Sequence, residues 1–239
     1  MGKFRNRPVV GLGDVPGDGA SGRNSWYGDR YVLGLGHGNQ VVADEGSFWV
    51  ATNATLATGI AGHAAPVVAD TDTKALLHLY NGGQRNIVVD HLFLEVTAAG
   101  TAGTIQYTVV YIDNKGSSAR SSGGTAITPV STRSDAPTTT GAVIFFGAVV
   151  TAMTSSLKVG QQIVREVIPV VQDTVLMKFG SGAGFAHSGL TTAGTATNHV
   201  VQHFAPVVIA PGGNLNISQI RPSQSAAASY QFEFGYYER

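Results

Sequence analysis

Near the end of the chain, apolar and polar side chains change places at every step. Tyr230, Phe232, Phe234 and Tyr236 stand against Gln231 and Glu233. A period of two places the four rings on one face of an extended strand, whereas a helix would scatter them around its circumference. The same alternation runs through Ile105, Tyr107, Val109 and Tyr111, with Gln106 and Thr108 on the opposite face. A chain built on this pattern must form sheets and cover one face of each. No window carries a stripe of helical period. The most helix-like stretch, 142–154, contains Phe-Phe and Val-Val pairs that favour a buried strand.

From about residue 40 onward the apolar runs are short, and each reads as a strand. They cover 40–43, 47–52, 65–69, 75–80, 86–96, 104–112, 125–130, 141–151, 161–171, 174–179, 200–209, 214–220 and 229–237. Turn chemistry separates them at Asn81-Gly82-Gly83, 98–103, Asp113-Asn114-Lys115-Gly116, 121–124 and Pro211-Gly212-Gly213. The first and third of these suit hairpins, the first joining 76–80 to 87–96. Thirty-one glycines and nine prolines fit many turns rather than long helices. Two Gly/Thr/Ser-rich stretches, 114–141 and 191–198, read as exposed loops, the first with at most one weak strand. Short strands with frequent turn signals predict an all-β fold, a jelly-roll-like antiparallel β-sandwich.

Residues 1–35 differ from the rest. Gly, Asp, Arg and Asn dominate, and apolar residues are few and aperiodic. This segment buries little by itself and is expected to be an extended or disordered N-terminal arm, with the sandwich domain occupying 36–239. Lys3, Arg5 and Arg7 at its tip, and the aromatic Trp26 and Tyr27, are the candidate assembly contacts, because exposed rings favour a partner surface. The motif His-x-Ala-Pro-Val-Val at His63 recurs at His203. Its proline suits a place where a strand enters or leaves a sheet edge.

Charge is sparse. Fifteen basic and fifteen acidic residues cancel, so long-range attraction to nucleic acid or to an anionic membrane is weak, and so is self-repulsion. No apolar run approaches the length of a membrane-spanning helix. With no cysteine there is no disulfide, thiolate metal site or thiol nucleophile. The seven histidines are His37, His63, His78, His91, His187, His199 and His203. The closest pair, His199 and His203, shares a face of a strand but lies about 13 Å apart, too far for one ion. The acidic residues are scattered and nominate no glycosidase pair. Asp70 and Asp72, beside Thr71 and Thr73, read as an Asx turn. The Gly-rich stretches 34–38 and 180–184 precede no expected helix, so the phosphate-binding fingerprints fail in context. No catalytic residue, cofactor or metal site is expected, and the chain reads as non-enzymatic.

The C-terminal stretch APVVIAPGGNLNISQIRPSQSAAASYQFEFGYYER (205–239) joins an apolar strand, a Pro-Gly-Gly turn, an alternating strand and a Ser/Ala-rich approach to an aromatic strand. It resembles the end of jelly-roll structural proteins of tailed-bacteriophage virions. LLHLYNGGQRNIVVDHLFLEV (76–96) looks like the paired strands nearer the start of that domain. The resemblance implies a capsid cement or decoration protein, or a head–tail or tail component. It would be made in the host cytoplasm and built into the virion as a homo-oligomer, commonly a trimer, against the major capsid protein or other virion proteins. No nucleic-acid or membrane partner is implied. The alternative is a tail or tail-tip module that binds carbohydrate or a receptor, with Trp26, Trp49, Tyr80 and Tyr236 as the available aromatic platforms.

Overall fold

The structure is a computed structural model. It describes residues 22–24, 30–32, 43, 46–53, 55, 58–63, 67–101, 106–113, 121–135, 139–150, 156–164, 171–180, 186–188, 199–222 and 224–239. Among the described residues there are eighteen strands. In chain order they are β1 (Gly22–Asn24), β2 (Arg30–Val32), β3 (Phe48–Thr52), β4 (Ile60–Ala61), β5 (Lys74–Asn81), β6 (Ile87–Ala98), β7 (Gln106–Asp113), β8 (Ser121–Ser122) and β9 (Thr125–Ile127). They continue with β10 (Val130–Ser131), β11 (Ala142–Val150), β12 (Ser156–Val164), β13 (Thr174–Phe179), β14 (Ala186–Ser188), β15 (His199–Phe204), β16 (Val208–Ile209), β17 (Asn214–Ile220) and β18 (Ser229–Glu238).

The all-β expectation holds, and two sheets form a sandwich. The larger, of nine strands, runs β10-β3-β18-β6-β13-β15-β14, with β16 beside β6 and β4 beside β18. The smaller, of seven, runs β12-β7-β17-β5-β11-β8, with β9 also on β11. The alternating rings of β18 face inward, and Tyr230, Phe232, Phe234 and Tyr236 are all buried. Phe232 stacks on Phe146 of β11 across the sandwich, with ring centroids 4.3 Å apart and planes within 5°. Around this pair, Leu77, Leu79, Leu92, Leu94, Met177 and Ile217 belong to one core drawn from both sheets. β1 and β2, inside the segment expected to be an arm, pair antiparallel.

Several local expectations are corrected. The hairpin at Asn81-Gly82-Gly83 does not form, because β5 lies in the smaller sheet and β6 in the larger. Asn81 builds a corner instead. Its Nδ2 donates to Arg85 O at 2.8 Å and Ile209 O at 2.9 Å, and Gly83 N donates to its Oδ1 at 3.1 Å. Gly82 N donates to Gly141 O at 2.8 Å, so the turn residues bond to a neighbouring turn rather than closing a ladder. The hairpin expected after β7 is also absent: β7 pairs with β12 and β17, not with the following β8. Residues 114–120 of that turn lie outside the described residues. The Pro-Gly-Gly turn is as expected for its chemistry. Gly213 N donates to Ala210 O at 2.9 Å, and Gly212 takes φ 79°, the left-handed position that a type II turn gives to glycine.

The segment 114–141, expected as a loop with at most one strand, carries β8, β9 and β10. β8 and β9 pair with β11 in the smaller sheet, then β10 pairs with β3 in the larger. It straps one open side of the sandwich. On the other side, Gln162 of β12 donates through Nε2 to His203 O of β15. A Cβ on Gly160 would lie 2.6 Å from Phe204 Cδ1, so glycine there lets the two sheets close. The strand expected at 161–171 begins earlier, at Ser156, and Gln172 sits in a turn with φ 78°. The strand expected at 200–209 breaks at Pro206, which has no N–H for a ladder, and β16 resumes beside β6. Described residues of the expected strand 65–69 are not strand; Val67 instead accepts from Arg221 N at 2.8 Å.

Every described pair of strands is antiparallel except β13 with β15, whose register runs from Thr174 beside His199 to Phe179 beside Phe204. β14 lies beyond β15 and runs against it. β15 therefore inserts between two strands that precede it in sequence, and its direction matches β13.

Candidate functional site

The outward face of the smaller sheet is covered rather than open. Register places Lys158, Tyr111, Asn216 and His78 in a row across β12, β7, β17 and β5. The segment before β5 lies over them. Asn216 Nδ2 donates to Asp72 O at 2.6 Å, and its Oδ1 faces His78 Nδ1 at 2.5 Å. With that amide orientation Nδ1 of His78 carries the hydrogen. Burial outweighs this bond and lowers the His78 pKa below its ordinary 6.5, so the ring is neutral. Beside it, Ser218 Oγ donates to Lys74 O at 2.8 Å.

At the β12 end the cover leaves a groove of about 200 Å³. Val68, Tyr107, Val109 and Ile220 give it apolar walls, and Asp70 and Gln161 supply polar groups. Asp70 accepts from Tyr111 Oη through one carboxylate oxygen and from Lys158 Nζ at 2.5 Å through the other. Lys158 also lies 5.7 Å from the Tyr111 ring centroid, within cation–π range. The Asx turn expected at Asp70 and Asp72 is replaced by a turn built on threonine. Thr73 N donates to Thr71 Oγ1 at 3.2 Å, which frees Asp70 to reach the sheet. Val68 at the groove, and Leu157 and Val159 on the edge strand β12, are exposed at 50%, 50% and 36%.

On the outer face of the larger sheet, His91 of β6 lies between two carboxylates. Nδ1 is 2.7 Å from Asp90 Oδ2, and Nε2 is 3.1 Å from Glu233 Oε1. Burial pulls its pKa down, but the two carboxylates outweigh it and the net shift is upward. A Cβ on Gly235 would sit 2.4 Å from the imidazole, so the glycine makes the space in which the ring lies. Register continues the row to Lys178 and His203.

Lys3, Arg5, Arg7, Trp26 and Tyr27 lie outside the described residues, as do the loop 191–198 and His37. His199 and His203 both lie on β15, as the strand reading required, and Thr174 Oγ1 is 2.7 Å from His199 Nδ1. Among the described residues no three His, Asp or Glu side chains form a metal-binding group. Among them, too, no helix is long and apolar enough to cross a membrane. Two aromatic platforms are overturned: Trp49 and Tyr236 are buried. Burial drives the Tyr236 phenol pKa upward, against its hydrogen bond with Thr140. The groove at Asp70, Tyr107, Gln161 and Ile220 escapes a reading of the sequence, because its residues come from four distant segments. Its one local trace is Tyr107 and Tyr111 two steps to either side of Val109 on a single face. Set against known proteins, the chain matches no family model, no curated protein and no solved structure.

Proposed function

We propose that the protein is a non-enzymatic virion structural protein, a capsid cement or decoration subunit acting through contacts between copies and with neighbouring shell proteins. The observation that carries this reading is the apolar surface at the β12 end of the smaller sheet. Leu157 and Val159 project from an edge strand, and Val68 stands beside a groove walled by Tyr107, Val109 and Ile220. Exposed apolar area grouped at a sheet edge favours burial against another chain. A second copy of the chain is the occupant we assign to it, since near-zero net charge leaves little repulsion between copies. The jelly-roll reading belongs to this proposal. It is supported by the repeated passage of the chain between sheets at β5–β6 and β16–β17–β18.

Solution mass by light scattering tests the proposal, on the full chain and on a chain lacking residues 1–35. A trimer in both places the contact in the sandwich and leaves Lys3, Arg5, Arg7, Trp26 and Tyr27 for other virion proteins. Leu157→Asp with Val159→Asp is expected to return the oligomer to monomer. A monomeric wild-type chain that also fails to enter virions overturns the reading.

One observation favours the second reading, a carbohydrate-binding module. The groove sets the Tyr107 ring beside Asp70 and Gln161, an apolar wall with a few polar groups as in small-ligand sites. Glycan-array binding lost on Tyr107→Ala would move weight to it.

A further inference from the structure

Asn81-Gly82 is the one Asn-Gly step in the chain. Asparagine followed by glycine is the peptide step most open to attack on itself. The backbone nitrogen after the asparagine can reach the side-chain carbonyl carbon, and glycine sets no side chain in the way.

The corner between β5 and β6 holds this step in a form that disfavours the reaction. Asn81 is fully buried. Its Nδ2 donates to Arg85 O at 2.8 Å and to Ile209 O at 2.9 Å, and its Oδ1 accepts from Gly83 N at 3.1 Å. The nucleophile is engaged as well, since Gly82 N donates to Gly141 O at 2.8 Å. The Asn81 backbone is tied twice to the Pro-Gly-Gly turn. Asn81 N donates to Gly213 O at 3.0 Å, and Gly212 N donates to Asn81 O at 2.7 Å. Gly82 itself is exposed, so solvent reaches the turn, and these bonds are what hold the chemistry off.

We propose that Asn81 is a latent deamidation site, closed in the folded corner and reactive when that corner opens locally. On opening, the side chain swings free of its bonds and the Gly82 N–H gives its proton to hydroxide. The nitrogen then bonds to Asn81 Cγ and the Cγ–Nδ2 bond breaks. Ammonia leaves with a proton taken from water, which regenerates the hydroxide, and a cyclic imide remains. Water opens the imide at either carbonyl and leaves aspartate or isoaspartate. Neither product closes the corner again. Aspartate at this position has no hydrogen to give Arg85 O or Ile209 O and sets its charge against both carbonyls. Isoaspartate adds a methylene to the backbone between β5 and the turn. Local opening is thereby converted into irreversible loss.

Incubation of the full chain at mildly alkaline pH across a urea series tests this. The readout is the amide-to-acid mass gain in the tryptic peptide 75–85, set by cleavage after Lys74 and Arg85. The native chain is expected to deamidate there at least about tenfold more slowly than the urea-unfolded chain, because opening breaks several hydrogen bonds. Below the unfolding transition the rate is expected to rise only weakly with urea, since opening one corner exposes little surface. Gly141→Ala would press a Cβ against Gly83 Cα, closer than van der Waals contact. It is expected to raise the native rate several-fold without altering either reacting residue. Equal rates in native and unfolded chains, a rate that tracks the globally unfolded fraction, or a Gly141→Ala rate equal to wild type would each overturn the proposal. If Gly141→Ala does not fold, the urea series on the wild-type chain decides.

Discussion

Two histidines respond to pH in opposite directions because their surroundings differ. His91 has its folded pKa raised above 6.5 by Asp90 and Glu233 despite burial. The folded state therefore holds that proton more tightly than the unfolded chain. Its contribution is complete below 6.5 and disappears as pH rises through the folded value. Glu233 is half exposed, so solvent screens part of the interaction and about 1 kcal/mol is a reasonable scale. Melting curves from mildly acidic to mildly alkaline pH are expected to show wild type losing its margin over His91→Gln as pH rises. A constant margin would mean the carboxylates do not act through the charged ring. His78 has a lowered pKa, so its contribution is present above 6.5 and is lost as pH falls towards the folded value. Protonation would add a charge at Nε2, which is buried without a partner among the described residues. Asn216→Ala strands both the His78 Nδ1 hydrogen and Asp72 O. A loss of about 2–3 kcal/mol in denaturant unfolding is expected.

Among the elements, β11 depends on a single backbone conformation. Gly147 has φ 66°, a region that side chains strain, and a Cβ there would lie 2.6 Å from Ala61 O. The obstacle is backbone, which cannot rotate aside. Gly147→Ala is expected to cost at least about 1–2 kcal/mol, read as a lower urea midpoint with an unchanged slope. An unaffected midpoint would mean that β4 does not approach β11 there. The corner at Asn81 is the other sensitive element. Its side chain bonds to Gly83 N, Arg85 O and Ile209 O, tying the turn to β16. Asn81→Ala removes these ties. Faster amide exchange at Gly83 is the expected first sign, because local opening starts where hydrogen bonds are lost.

At the scale of the molecule, one core joins the two sheets, and the stacked Phe146 and Phe232 lie within it. Phe232→Ala removes a ring from a dry interior and is expected to cost about 3–5 kcal/mol by equilibrium unfolding. That loss is a large share of the stability of an ordinary domain. The strands at 47–52, 75–80, 174–179, 214–220 and 229–237 were legible because alternation and flanking turns are local signals, and β3, β5, β13, β17 and β18 match them closely. The short β4, β8 and β10 carry two residues each, too few for a period to register. The groove was not legible at all. Asp70 meets Lys158 only after distant strands are in place.

The sequence by itself determined that the chain forms strands and which face of the clearest ones is apolar, since the backbone pleat turns a period of two directly into sidedness. Tertiary structure alone decided which sheet each strand joins. The runs on either side of Asn81-Gly82-Gly83 look like a hairpin locally. They part because Asn81 bonds to Arg85 and Ile209, and because β5 finds its ladders with β11 and β17 while β6 finds its own with β18 and β13. Those partners lie far along the chain, and a hydrogen-bond ladder records no preference in the local pattern for which partner completes it.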